Sequence, residues 1–494
     1  MEKIGFNNEK YLALQSEHIK ARISKFGGKL YLEFGGKLFD DYHASRVLPG
    51  FEPDSKMRML QTLKDDVEIV LVINSEDIES GKVRSDIGIT YEDDILRLID
   101  IFCGLGLYVG SVTITRYTDN NSVNAFIKRL NSMGIKTFKH YFIPGYPSDV
   151  NTIVSDDGYG KNEYIETERS LIVVTAPGPG SGKMAVCLSQ LYHEHKRNIC
   201  AGYAKYETFP IWNLPLKHPV NLAYEAATAD LNDVNMIDPF HLDAYGKTAV
   251  NYNRDVEIFP VLKAMFQRIY GDCPYKSPTD MGVNMAGFCI SDDGICCDAS
   301  RREILRRHLK AQCDLKKGLI PDTVVKKTEL LINQAEVTAD ICPAIGAALK
   351  KADDTGAPAA ALCTPDGDII TGKTSELLGA GSALLLNTLK HLAGIDDDVN
   401  LISPNIIEPI CNLKTRHLGH KNPRLHSDEV IMALCICAVT NPTAKKALDA
   451  LPLLKGSDVH FSVIVSDTDE QFFKQLGMNV SCTPVYETGS LYHK

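Results

Sequence analysis

The chain carries fourteen cysteines but no Cys-x-x-Cys pair. Cys187, Cys200, Cys363, Cys435 and Cys437 lie in apolar surroundings, the pattern of free thiols in a reducing cytosol rather than of a disulfide framework. No apolar run reaches the length needed to cross a bilayer, and the opening MEKIGFNNEKYLALQSEHIK is too polar for a signal peptide. A basic excess is also missing. Lys and Arg number 53 against 63 Asp and Glu, a net charge of −10. That balance argues against nucleic acid or an anionic membrane as a general partner, while leaving room for a local basic site. Tryptophan occurs once, at Trp212. What is present is enough for sizeable cores: 494 residues with 44% hydrophobic content, a length that suggests about two to four domains. A soluble, cytoplasmic protein is expected.

Short apolar runs alternate with amphipathic stretches through the first half. Residues 9–25 read as a helix. KLYLEFGGKLFDDYHA reads as a β-hairpin turning on Gly35-Gly36. Glu68 to Asn74, Ser111 to Thr115, and Ile135 to Ile143 read as strands, with helices over 92–107 and 121–133 between them. This alternation predicts βαβ units and a mostly parallel sheet.

The stretch SLIVVTAPGPGSGKMAVCLSQLYHEHKR, residues 170–197, stands out. Leu171 to Thr175 is a buried-strand run, and Met184 to Lys196 has helical spacing. Gly178, Gly180, Ser181, Gly182, Lys183 and Met184 lie between or at the join. Strand, glycine loop, lysine and helix is the layout that cradles phosphate. Glycines turn backbone N–H groups toward an anion, the helix N-terminus adds its dipole, and lysine adds charge. The loop departs from the G-x-x-x-x-G-K-[ST] pattern: Pro177 replaces its first glycine, and Met184 stands where a hydroxyl would meet magnesium. The competing explanation is a tight turn that needs glycine and nothing more. A second strand, Ile199 to Lys205, follows this helix.

GDIITGKT, residues 367–374, fits the same pattern to the letter but lacks the context. Pro365-Asp366-Gly367 is a turn between two apolar runs, so residues 368–371 should be a strand. Lys373 and Thr374 precede a helix over 380–392 and remain candidates for a separate anion contact.

Further candidates are dispersed. Asp238 closes the pair Met236-Ile237, like the strand-end aspartate that holds magnesium, in a loop-rich segment that also carries Asp230, Asp233 and Asp243. Asp280 and Asn284 belong to YKSPTDMGVNMAGF, which suits either a shaped loop over a site or a plain connection. Arg301, Arg302, Arg306 and Arg307 read as the wet face of a helix over 298–317. Arg416, His417, His420, Lys421, Arg424 and His426 form the strongest local basic cluster of an acidic chain. They suit an anion site or a solvated loop, with Ser427 capping the next helix.

Two resemblances follow from these motifs. FGGKLYLEFGGKLFDDYHASRVLPGF, SDIGITYEDD, APGPGSGKM, SPTDMGVNMAG, TGKTSELLGA and KNPRLHSDE run end to end, and with them the chain resembles a bacterial family of cytosolic proteins catalogued as a domain of unknown function. That likeness implies no activity or site residue. The order strand, PDG turn, strand, Thr-Gly-Lys, helix over 359–393 resembles cytidine-deaminase-like domains. Their zinc ligands are a His or Cys beside a Glu, then P-C-x-x-C. Leu378 to Ser382 and Asn441 to Lys446 supply neither, so the resemblance implies a fold without zinc or deamination.

The expectation is a multidomain α/β protein: residues 1–250 with the degenerate P-loop-like turn, a helical segment 251–335, and a C-terminal α/β, deaminase-like part over 336–494. Function points to an ATP-using transferase or ligase on a small phosphorylated or acidic metabolite. ATP or another nucleotide would sit on 178–184 with Lys183 at its phosphates, and Asp238 would hold magnesium. The alternatives are a non-catalytic nucleotide or phosphometabolite sensor, and a phosphate-handling enzyme that needs no nucleotide. Homo-oligomer formation fits either.

Overall fold

The structure is a computed structural model that describes residues 4–36, 38, 39, 41–84 and 88–488. It divides into two compact units. Residues 4–224 and 233–296 form one; residues 225–232 and 297 onward form the other. Residues 251–296 of the helical middle segment thus belong to the first and 297–335 to the second.

The N-terminal unit is built on a seven-stranded sheet. Its strands are β1 Leu30–Phe34, β2 Val67–Asn74, β3 Tyr108–Thr115, β4 Lys136–Lys139, β5 Leu171–Thr175, β6 Gly202–Tyr206 and β7 Gly282–Val283. Every pairing is parallel, in the order β7-β6-β1-β5-β2-β3-β4. All eight residues of β2 are buried, because helices cover both faces, which is why its sequence is a continuous apolar run. On one face, helices α1 Asn8–Lys25, α2 Ser55–Thr62, α3 Tyr91–Gly104 and α4 Asn121–Ser132 bring Ile19, Leu60, Leu98 and Phe126 against Leu32, Ile69, Leu71 and Ile114. On the other, α5 Lys183–Lys196 and α6 Asn253–Tyr270 bring Val186, Leu188, Phe259 and Phe266 against Tyr31, Val70, Ile172 and Val174. Helix starts follow local chemistry. The Thr90 hydroxyl accepts from the Asp93 N–H at 3.2 Å and the Asn120 side-chain Oδ1 from the Val123 N–H at 2.9 Å.

The expected hairpin at residues 29–44 is corrected. LYLEF is a single strand in the middle of the sheet, flanked by β5 and β6. Its alternation arises because Leu32 and Phe34 meet one helical layer while Tyr31 meets the other. Gly35 and Gly36 form the exit turn. Gly36 adopts φ +74°, a left-handed conformation that favours glycine, and the described residues after it lead into a helix, Tyr42–Val47. Residues 37 and 40 of that stretch lie outside the described residues. The strand expected over 135–143 is the shorter β4, and part of the expected loop 275–288 is β7, an edge strand on β6.

The C-terminal unit carries a four-stranded mixed sheet. Ala359–Cys363 pairs antiparallel with Ile369–Lys373 and with Asp458–Phe461, and the last pairs parallel with Asn479–Cys482. The P-loop-like run GDIITGKT is thus largely a strand, as its turn context predicts. The helices Ala380–Ala393 and Ser427–Ala438 pack Leu384, Leu389, Val430 and Leu434 into its core with Leu362 and Phe461. Arg306 is not on a wet face: it and Arg307 bind the buried Glu303 at 2.5 and 2.9 Å. Among the described residues, no helix is long and apolar enough to cross a membrane.

Candidate functional site

The connection leaving β1 runs to β2 on one side of the sheet, and the connection leaving β5 runs to β6 on the other. β1 and β5 are neighbours, so their chains part at their C-terminal ends. Such a point is where open α/β sheets form a ligand crevice. Two glycine turns meet there: Gly35-Gly36 after β1, and 176–182 after β5.

The second turn is held from both sides. The Thr115 hydroxyl donates to the Ser181 carbonyl at 2.7 Å, and the Ser181 hydroxyl donates to the Gly178 carbonyl at 3.0 Å. A Cβ on Gly178 would lie 2.2 Å from the Tyr91 hydroxyl, so the close approach of Tyr91 requires glycine. Gly180 and Gly182 have φ of +78° and +92°. Gly182 stands at the N-cap of α5, where no side chain caps the helix. The first-turn N–H groups of α5 therefore lack a side-chain acceptor. Lys183 reaches back to the Gly178 carbonyl at 3.5 Å.

Beside this turn lies a charged cluster that sequence reasoning missed. Glu33 on β1 is in register with Val174 on β5 and with Lys205 on β6, so the three side chains share one sheet face. The Tyr203 hydroxyl donates to Glu33 at 2.6 Å. The Lys205 ammonium lies 2.6 Å from Glu207 and 2.6 Å from Asp255, which is on the first turn of α6. All three side chains are only about a fifth exposed: 22% for Lys205, 21% for Glu207 and 20% for Asp255.

Confinement shifts their proton affinities. Burial pushes the Glu207 carboxyl up to about 8; Lys205 opposes the shift and the charge of Asp255 adds to it. Burial works against the charge on Lys205, but Glu207, Asp255 and Glu33 together hold its pKa well above the usual range. Lys183 moves down, through burial first, against the pull of Glu33 and with a push from Lys205. Lys183 thus feels the charges of Glu33 and Lys205. A carboxyl whose proton affinity is raised by burial, beside cations at the strand ends, is a candidate for acid–base chemistry.

The other sequence candidates are placed as follows. Asp238 ends the strand Asn235–Ile237, but its carboxylate caps the next helix, accepting from Phe240 and His241 at 3.0 Å each and from the Thr279 hydroxyl at 2.7 Å. Asn284 is buried and pins the segment after Glu207 by donating to the carbonyls of Thr208 and Pro210 at 2.8 and 3.1 Å. Asp280 accepts from Tyr245 at 2.8 Å. Met184 packs against the core behind the sheet. Lys373 and Thr374 belong to the C-terminal unit, where Lys373 is exposed beside a cleft of about 460 Å³ lined by Ser375, Leu378, Asn387 and Ile402.

The basic cluster also lies in that unit, and its members diverge. Arg424 pairs with Glu487 at 3.0 Å and His426 with Asp469 at 2.9 Å, while Arg416, His417, His420 and Lys421 are exposed. The hydrogen bond to Asp469 raises the pKa of His426. His426, rather than Ser427, is the helix N-cap; its N–H donates to Glu429 at 2.8 Å. The buried cation of this region is Lys414, which the cluster reading passed over.

Fold and site together define a two-unit α/β protein whose parallel sheet carries a glycine turn and a half-buried charged cluster at its C-terminal strand ends. Known proteins agree end to end. The family "Domain of unknown function DUF1846, N-terminal" matches residues 4–336, and its C-terminal counterpart matches 340–492. A UPF0371 protein of Streptococcus thermophilus is 55% identical over 494 residues, covering 100% of both chains. UPF0371 proteins of Corynebacterium aurimucosum and Corynebacterium diphtheriae are each 56% identical, covering 99% of this chain and of their own. The chain belongs to the DUF1846 family.

Proposed function

We propose that the N-terminal unit is an enzyme that binds the phosphate of a small cytosolic metabolite at 178–183 and moves a proton on it with Glu207. The observation that carries this reading is the register of Glu33 with Val174, at the strand end that opens the glycine turn, and with Lys205; the pull of Glu33 on Lys183 supports it. The N–H groups of the turn and of the first turn of α5 would hold phosphate oxygens, with Lys183 supplying charge. Glu207, whose carboxyl burial pushes up, would act as the acid when protonated and as the base when deprotonated. Lys205 and Asp255 fix its position. This reading needs no nucleotide and no zinc, and Asp238 has no part in it because its carboxylate is occupied.

The second reading is an ATP-using transferase or ligase, favoured by the order strand, glycine turn, lysine, helix. Isothermal titration of the full chain with inorganic phosphate, ribose 5-phosphate and ATP, with and without magnesium, separates the two. Binding of simple phosphate esters without magnesium, lost in Lys183→Ala and kept in Lys373→Ala, supports the first. Magnesium-dependent binding of ATP alone, with ADP formed in the presence of a metabolite extract, supports the second. Equal binding by the parent and Lys183→Ala overturns both.

A further inference from the structure

The segment following β4 is unusual in what it exposes. Between Tyr141 and Tyr146 it presents three aromatic side chains, with Tyr141 39%, Phe142 62% and Tyr146 36% exposed. Exposed aromatic surface of this size, gathered in six residues, is hydrated at a cost that scattered surface residues do not share. The segment adjoins the site at its start, and the charge of Glu33 acts on its far end. At the start, the Tyr117 N–H donates to the His140 carbonyl at 2.9 Å, and Tyr117 is two residues from Thr115, which holds the glycine turn. At the far end, Tyr146 lies in the field of Glu33, and burial together with that charge pushes its phenol up to about 12. Ile143, between them, is buried in the core beneath α5 and anchors the segment.

Cations stand over the rings. The Arg116 guanidinium is 5.6 Å from the Phe142 ring centre and the Lys139 ammonium 4.2 Å from that of Tyr117, which meets Tyr141 edge-on at 5.9 Å. Arg116 itself holds a left-handed φ of +49°, a conformation rarely adopted by a residue with a side chain.

We propose that this segment is the platform for a planar heteroaromatic ring carried by the phosphorylated ligand, stacked on Phe142, with Arg116, which pairs with the exposed Glu76 at 3.1 Å, turning to the anion as a second contact. The inference rests on the phosphate reading above and specifies the ligand class: a phosphate ester bearing a flat ring, of which a nucleotide or a pyridine-ring phosphate are the sources. An electron-poor ring gains from an aromatic face, and an anion bound by Arg116 replaces an exposed ion pair with Glu76, which contributes little by itself.

The test compares three probes on the full chain by calorimetry: AMP, pyridoxal phosphate and ribose 5-phosphate. At least one ring-bearing probe should bind roughly tenfold tighter than ribose 5-phosphate, the size expected from one stacked ring. Phe142→Ala should remove that advantage while leaving ribose 5-phosphate binding unchanged. Phe142 is exposed, so its loss leaves the core intact, and circular dichroism confirms folding. Arg116→Ala should weaken all three. If ribose 5-phosphate binds as tightly as both ring-bearing probes, or Phe142→Ala alters none of them, the platform is overturned and the phosphate reading stands. If no probe binds the parent, the phosphate reading falls with it. The preferred ring-bearing probe identifies the source.

Discussion

The Thr115 hydroxyl reaches across the end of β2 to the Ser181 carbonyl, 2.7 Å away. That bond ties the glycine turn after β5 to the end of a strand two places along the sheet. The turn is therefore braced by the sheet as well as by its own residues, and its two exposed-looking glycines have different requirements.

Gly178→Ala should destabilise the fold by about 1–3 kcal/mol, the usual penalty for overpacking, because the new methyl would meet Tyr91. In a Tyr91→Ala background, which carries its own core penalty, most of that cost should vanish. Gly180→Ala meets nothing within 4 Å, so its cost is that of the left-handed backbone, about 1–2 kcal/mol, unrelieved by Tyr91→Ala. Urea unfolding of the three single variants, Tyr91→Ala included, and the two doubles checks this. Equal rescue by Tyr91→Ala at both positions would contradict it.

Glu207 predicts a pH dependence with a definite sign. Its carboxyl is raised from about 4.5 to about 8 in the folded protein. Between those values the native state binds more protons than the unfolded one, so stability falls as pH rises. Thermal melts should show a decline across this window that is reduced in Glu207→Gln. A variant with the parental slope would show that another group carries the proton.

Lys414 is 3% exposed at its side chain and pairs with Glu429 at 2.7 Å; it also donates to the Arg424 carbonyl at 2.7 Å. Glu429→Ala would leave that ammonium without its counter-charge and remove the acceptor for the His426 N–H. The expected loss is about 3–5 kcal/mol. Lys421→Ala, on an exposed side chain of the same region, should change stability by under about 0.5 kcal/mol. Denaturation of both variants is the measurement, and comparable losses would refute the assignment of the buried pair.

Much was decided by sequence alone. The apolar runs at 68–74, 111–115 and 171–175, the helices between them, and the strand–glycine–lysine–helix order at 171–196 follow from local periodicity and turn chemistry, and they predict a parallel sheet. So does the rejection of 367–374 as a phosphate loop, since a Pro-Asp-Gly turn between two apolar runs forces a strand. Tertiary structure decided the rest. LYLEF alternates like a hairpin strand because its two faces meet different helical layers, a distinction that residue polarity does not record. Glu33, Lys205 and Asp255 come from three separate segments, and only strand register places the first two side by side. Glu207 is an ordinary surface-type residue in sequence; burial next to Lys205 and Asp255 moves its proton into the neutral range. Likewise Arg424 and His426 are part of one basic run in the sequence but meet different carboxylates in space, because a charge is assigned its partner by the fold and not by its neighbours along the chain.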